Sequence, residues 1–246
     1  MTIIAFDKDP RDEANPWTQT ASGIKLDLLA PTPEMIHWPD VAQGLSRANR
    51  FNGMTAEPYS VAEHCCKMYD FITSDGAPPA ARAWALLHDA HEAYIGDIVT
   101  PVPPALGMYA ARHVRFTDED APEGSKESEM INAVMVRAIP HIILQALDGL
   151  KHELDHAIFG AAGFPPPCKA SRAETLVLKM IDKAFGLAER NKLMGPPPEK
   201  WPDEDELSKM QNIDVEFECW PPERAAKEYL GRLLELGICR PPSTLN

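Results

Sequence analysis

Twice in this chain a serine stands three residues ahead of a glutamate, at the head of a stretch whose apolar residues recur at helical spacing. In "YSVAEHCCKMYDFITSDG" (59–76) the pair is Ser60 and Glu63, with Val61, Met68 and Phe71 behind it. In "SRAETLVLKMIDKAFGLAERNKLMG" (171–195) it is Ser171 and Glu174, with Leu176, Val177, Met180, Ile181 and Ala184 forming the stripe. Serine and glutamate at this spacing satisfy amides that a helix start leaves bare, so both stretches begin helices. Prolines at the start and Gly96 at the end mark another helix over 78–96. Further helices are expected over 39–49, over 127–160 with a break or kink at Pro140, and over 221–237 at the amphipathic end of the chain. Residues 101–128, rich in proline and acids, read as a loop, "GFPPPCK" (163–169) as a hard stop, and 195–206 as a surface linker. Strand signals are confined to a small hairpin over 18–29 around Ser22-Gly23, inside a Pro-rich, irregular first 40 residues. No internal repeat is visible. The class is all-α.

The bulk properties narrow the functions open to such a chain. Its 246 residues suit one large domain, and 44% hydrophobic content supplies a core. A net charge of −13 disfavours a binder of nucleic acid polymers, which needs basic residues to displace counterions. A small anionic substrate remains open, because one local arginine can hold it. Five cysteines (Cys65, Cys66, Cys168, Cys219, Cys239) show no CxxC spacing, and no signal peptide is evident. That combination is expected of reduced thiols in the cytoplasm. No apolar run approaches 18 residues, so no membrane span is expected.

The densest chemistry lies in "ALLHDAHEAYIGD" (85–97), where His88, Asp89, His91, Glu92 and Asp97 crowd together. Like charges this close are costly unless a cation or a reaction uses them. On a continuous helix His88 and Glu92 stand one turn apart, with Asp89 about 100° round from His88. His64, near the start of the first capped helix, and Asp182, inside the later stripe, are the groups that can complete a site. Each has a plain alternative: an ordinary helical histidine, and an aspartate solvated on the far face.

The ordered segments "YSVAEH" (59–64), "LLHDAHEAYIGDIVTP" (86–101) and "KMID" with "AER" behind it (179–190) resemble the HD-domain metal-dependent phosphohydrolases. The nearest branch is the bacterial 5′-deoxynucleotidases and phage deoxynucleoside triphosphohydrolases, and "LSRANRFNG" (45–53) is similar to their lead-in. The resemblance covers roughly residues 35–195. It implies an HD helical bundle there, an irregular segment over 1–34, and a linker and C-terminal helix over 196–246 packing on the same domain. It implies that His64, His88, Asp89 and Asp182 bind one divalent ion; Mn, Fe, Co, Ni or Zn suits such mixed ligands, and Mg is possible. It further implies that Glu92 orients the attacking water or handles its proton, and that Asp97 meets the sugar 3′-hydroxyl. Arg50, 14 positions before His64, matches a phosphate-binding arginine; Phe51 beside it has the ring to stack on a base. The alternatives are a solvated surface charge and a core aromatic. The family's lysine after "TP" is missing, which leaves Arg112 or Arg115 as candidates, and residues 105–170 are longer than in small members. A homo-oligomer is implied.

A rival motif lies in "KHELDHAIFG" (151–160): His152-Glu153-x-x-His156 is the HExxH pattern of zinc peptidases. Phe159 fills the glycine position of the extended form, and Glu174 or Glu189 would have to supply the further ligand across a Pro-rich break. A catalytically inactive nucleotide-binding HD module is a third class, disfavoured because all four ligand positions and Glu92 are filled. The expectation is therefore a metal-dependent phosphohydrolase acting at the 5′-phosphate of (deoxy)nucleotides.

Overall fold

The structure is a computed structural model that describes residues 15–113, 124–166, 172–209 and 213–239. It is all-α, with one two-stranded sheet among the described residues. That sheet is the expected hairpin: β1 (Trp17–Gln19) pairs antiparallel with β2 (Lys25–Asp27), and Gly23 supplies the positive φ of 87° at the turn. Leu26 plugs the hairpin into the core, and Asp40 fastens the turn by accepting from the Ser22 amide at 3.0 Å.

Helix α1 (Trp38–Arg47), α2 (Val61–Ser74) and α3 (Pro79–Leu87) lead into a turn and a short α4 (Glu92–Ile95). The expected continuous helix over 78–96 is therefore interrupted at the His-Asp pair. After Leu87 the amides of Ala90 and Glu92 donate to Leu87 and Asp89, a tighter winding than an α-helix. No glycine or proline marks this break. Gly44 of α1 lies so close to α4 that a Cβ there would sit 2.8 Å from the Ala93 carbonyl.

Residues 101–128 are not the expected loop throughout, because α5 spans Val102–His113. Pro103 and Pro104 fall in its first turn, where the missing N–H groups have no helical partner in any case. Helix α6 (Lys126–Ala162) runs through Pro140 without ending and stops at Gly163, whose φ is 73°. Gly107 of α5 packs directly on Pro140: a Cβ there would lie 2.6 Å from the Pro140 Cα, so the helices touch backbone to backbone. By length and composition alone α6 is apolar enough to cross a membrane, and only 6% of its most apolar window is buried. Leu106, Met108 and Tyr109 of α5 and Met130, Val134 and Ile142 of α6 are exposed with it.

Helix α7 spans Arg172–Leu193, and Ser171, its expected cap, lies outside the described residues. The expected stripe holds in part: Ala184 is buried and Ile181 packs against the core. Leu176, Val177 and Met180 are exposed, while Leu178 and Phe185 enter the core. A short α8 (Glu204–Leu207) interrupts the otherwise exposed 195–206 region, and α9 (Pro222–Glu235) packs on α1 and α2. The Ser60–Glu63 box forms by half. Ser60 accepts from the Glu63 amide at 3.2 Å, but the Glu63 carboxylate instead accepts from the Glu218 and Trp220 amides at 2.8 and 2.6 Å. The C-terminal segment is thereby tied to the start of α2. Among the described cysteines, Cys65, Cys66, Cys219 and Cys239 are free thiols; Cys168 lies outside the described residues.

Candidate metal centre

His64 sits one turn into α2, His88 and Asp89 at the break after α3, and Asp182 midway along α7. The fold brings these four together: each offers one ligand atom, and those atoms lie within 4.8 Å of one another. His64 Nε2 is 3.3 Å from His88 Nε2 and 3.3 Å from Asp182 Oδ1; His88 Nε2 is 3.2 Å from Asp89 Oδ2. His88 Nε2 lies 3.5 Å from Asp182 Oδ1, and His64 Nε2 lies 3.8 Å from Asp89 Oδ2. Ligands held about 2.0–2.2 Å from one ion are at most about 4.4 Å apart, so these distances fit a single coordination shell.

The far side of each imidazole decides which nitrogen faces this shell. His88 Nδ1 lies 3.0 Å from the Ala85 carbonyl, which can only accept, so Nδ1 carries a hydrogen. His64 Nδ1 lies 2.6 Å from Glu189 Oε1. Burial opposes ionisation of Glu189, but Arg50 and His64 hold its carboxyl below the usual range, so it too accepts. Both Nε2 atoms therefore face each other and two carboxylate oxygens, and a proton or a cation has to lie between them. Burial opposes a charged His88, yet Asp89 and Asp182 raise its pKa well above the ordinary value. Asp182 is likewise held well below its usual range, because hydrogen bonds from His64 and His88 outweigh burial. The cluster can bind a metal ion, since two imidazole nitrogens and two carboxylate oxygens converge on one point, and the ion would displace the proton they otherwise share.

Glu189 is the residue the sequence reading missed in this role, having considered it only as a peptidase ligand. It is fully buried, and besides His64 it accepts from Tyr59 Oη at 3.1 Å and Arg50 Nε at 3.1 Å. A carboxylate behind a ligating histidine fixes its tautomer and orientation. The signal was available: Glu189 follows Asp182 by seven residues, two turns along the same helix face.

Arg50 is not a solvated surface charge. Its side chain is 13% exposed and bridges Glu189 to Asp89, the latter at 3.4 Å. Phe51 and Asn52, beside it, adopt left-handed φ values of 55° and 57°, a strained pair that Asp97 helps to hold by accepting from the Phe51 amide at 3.0 Å. Phe51 is partly buried, with the Trp201 ring 6.0 Å from its own. Glu92 is buried just behind Asp89. Burial, Asp89 and Asp97 all oppose its charge and push its pKa up to about 9. Lys151 acts on both Glu92 and Asp97 and is the cation that α6 brings to this side. Arg112 is exposed on α5, and Arg115 lies outside the described residues.

The rival histidines form no such centre. His152, Glu153 and His156 are exposed on α6, and among the described residues they join no group of three potential ligands. Glu189 is committed to His64, and Glu174 is exposed. A cavity of about 150 Å³ between the hairpin and α1, lined by Thr18, Asp40, Arg47 and Tyr94 among others, shares no residue with the metal centre.

No family model matches this sequence. An uncharacterized protein of Rhodobacter capsulatus is 40% identical over 114 residues, covering 41% of this chain and 58% of that protein. The chain thus spans a little over half the length of the curated relative it matches.

Proposed function

We propose that this protein is a divalent-metal-dependent phosphohydrolase of the HD-domain type, acting at the 5′-phosphate of (deoxy)nucleotides. One observation carries the reading: two buried imidazole nitrogens and two carboxylate oxygens from three separate parts of the chain face one another at 3.2–3.8 Å, each imidazole oriented from behind. His64, His88, Asp89 and Asp182 hold the ion, which is Mn, Fe, Co, Ni or Zn, with Mg also able to serve. When bound, it lowers the pKa of a water and offsets charge on the phosphoryl group.

The remaining steps belong to the chain's own residues. Glu92, whose pKa of about 9 reflects burial beside Asp89 and Asp97, takes or returns the proton of the attacking water. Asp97 keeps Oδ2 on the Phe51 amide and offers its carboxylate to the sugar 3′-hydroxyl. Arg50 positions Asp89 and directs its remaining N–H groups to the phosphate, and Lys151 supplies the charge expected of the missing lysine. Phe51 bounds the base. The substrate is a small nucleotide rather than a polymer, and the protein works as a cytoplasmic homo-oligomer, a reading to which the exposed apolar faces of α5 and α6 lend support.

The test is a panel of deoxynucleoside mono- and triphosphates incubated with Mn²⁺, Co²⁺ or Mg²⁺, with products separated by chromatography. Orthophosphate released from monophosphates identifies a 5′-nucleotidase, and tripolyphosphate from triphosphates a triphosphohydrolase. No nucleotide turnover with any ion contradicts the proposal.

A further inference from the structure

Two buried polar atoms next to the four-residue centre lack any partner. His91 is 5% exposed, and its Nδ1 meets Asp155 Oδ1, contributed by α6, at 2.9 Å. An ionised carboxylate only accepts, so Nδ1 carries the hydrogen and Nε2 turns a lone pair into the protein. That Nε2 is buried and has no hydrogen-bond partner. Glu92, also 5% exposed, has a buried Oε2 in the same condition. Groups of this kind are costly to leave unsatisfied, and a cation lying between the two would satisfy both, taking the place of the proton on Glu92.

Asp89 links them to the first centre. Its contacts with Arg50, His64 and His88 all use Oδ2, so its other oxygen takes no part in them. Asp89, His91 and Glu92 each offer a ligand atom, and the three atoms lie within 4.8 Å of one another. The Asp155 contact is the arrangement that commonly stands behind a ligating histidine, and it repeats around His91 what Glu189 does for His64.

We infer that Asp89, His91 and Glu92 form a second divalent-cation site, with Asp155 as the residue that positions His91 and Asp89 as the carboxylate shared by both ions. The inference rests on the metal centre proposed above and adds a partner to it; Glu92 then holds the second ion through Oε2 and keeps its other carboxylate oxygen for the water's proton. Two ions sharing a carboxylate form a clamp suited to the attacking and leaving oxygens of phosphoryl transfer. It also gives the turn after α3 a function: the break in the helix is what aims His88 at one ion and His91 at the other.

The experiment is a titration of the chelator-stripped, full-length protein with Mn²⁺ alone, reading bound ions per chain by equilibrium dialysis and electron paramagnetic resonance. Wild type is expected to take up two equivalents, the signal of isolated Mn²⁺ at the first giving way to an exchange-coupled spectrum at the second. His91→Ala is expected to stop at one equivalent and keep the isolated-ion spectrum. Asp155→Asn retains every ligand and is expected to weaken only the second step, by roughly 10–100-fold. It keeps the test decisive should His91→Ala fail to fold. Saturation of wild type at one equivalent overturns the second site and leaves the first standing. No binding at all overturns both. Two equivalents persisting in folded His91→Ala with an unchanged coupled spectrum, or an unaltered second step in Asp155→Asn, overturn the assignment to these residues.

Discussion

The molecule carries two sets of histidines and carboxylates, and they behave in opposite ways. His152, Glu153 and His156 fall within five residues of α6, the two histidines one turn apart, and all three remain exposed with the imidazole rings 4.6 Å apart. His64, His88, Asp89 and Asp182 are scattered over more than a hundred residues, yet fold into one shell with His64 and His88 buried. The histidines of the second set are buried and their rings are fixed from behind. Glu189 and the Ala85 carbonyl fix the rings of the second set, and Trp84 stacks on His88 with centroids 4.9 Å apart. A metal centre needs converging lone pairs held by a supporting layer, and proximity in sequence supplies neither.

The comparison breaks most readily by mutating each set in turn. His88→Ala with Asp89→Ala is expected to reduce nucleotide hydrolysis to background while circular dichroism stays helical. His152→Ala with His156→Ala is expected to leave hydrolysis largely intact. Equal losses in the two variants, measured under the same conditions, remove the distinction.

Glu92→Ala sharpens the account of what the centre does. A group that handles a proton typically contributes about 10²–10⁴-fold, so the loss should fall mainly on kcat. Calorimetry should still show the first ion and a non-hydrolysable nucleotide binding. Loss of that first ion would place Glu92 among its ligands instead. Glu189→Gln probes the supporting layer alone: metal affinity is expected to fall roughly 10–100-fold with the four ligands unchanged. An unaltered affinity would mean that Glu189 serves the core rather than the centre.

Smaller effects are expected at Glu92 and Asp97 in other assays. With a chelator present, Glu92 has a folded-state pKa of about 9, above its unfolded value of 4.5. Protonated Glu92 then contributes stability that is fully present below pH 4.5 and is lost as pH rises through about 9. Glu92→Gln should therefore gain melting temperature relative to wild type between pH 5 and 9, about 2–4 °C for each kcal/mol retained. Parallel melting curves for the two proteins across that range would contradict the shift. Asp97→Ala should shrink the preference for 3′-hydroxyl over 2′,3′-dideoxy substrates, by the few-fold that one hydrogen bond of about 0.5–1.5 kcal/mol confers. Competition between the two substrates reads this directly, and an unchanged ratio takes Asp97 away from the sugar.

Much of this arrangement was legible in the residues, and the exceptions share a cause. The helices at 61–74 and 222–235 announce themselves through a capping serine and through prolines at the start. The hairpin around Gly23 follows from its turn. Helix α5 was hidden because prolines that usually end a helix here begin one. The stripe on α7 was legible at Ile181 and Ala184 but not at Leu176, Val177 and Met180, which are apolar yet exposed, whereas the core face runs through Leu178, Asp182, Phe185 and Glu189. Hydrophobicity alone could not find a face that carries two carboxylates. The break after Leu87 left no local mark: no glycine or proline stands at it, and α4 beyond it is seated against Gly44 of another helix. Contacts between distant segments decide these features, and one helix's sequence does not contain them.

The central claim is that the cation binds at the dispersed set and not at the contiguous one. The most direct measurement is the Mn²⁺ content of three stripped and reloaded proteins: wild type, His88→Ala with Asp89→Ala, and His152→Ala with His156→Ala. The account predicts bound ion in the first and third and its loss in the second. Ion retained in the second and lost in the third would contradict it.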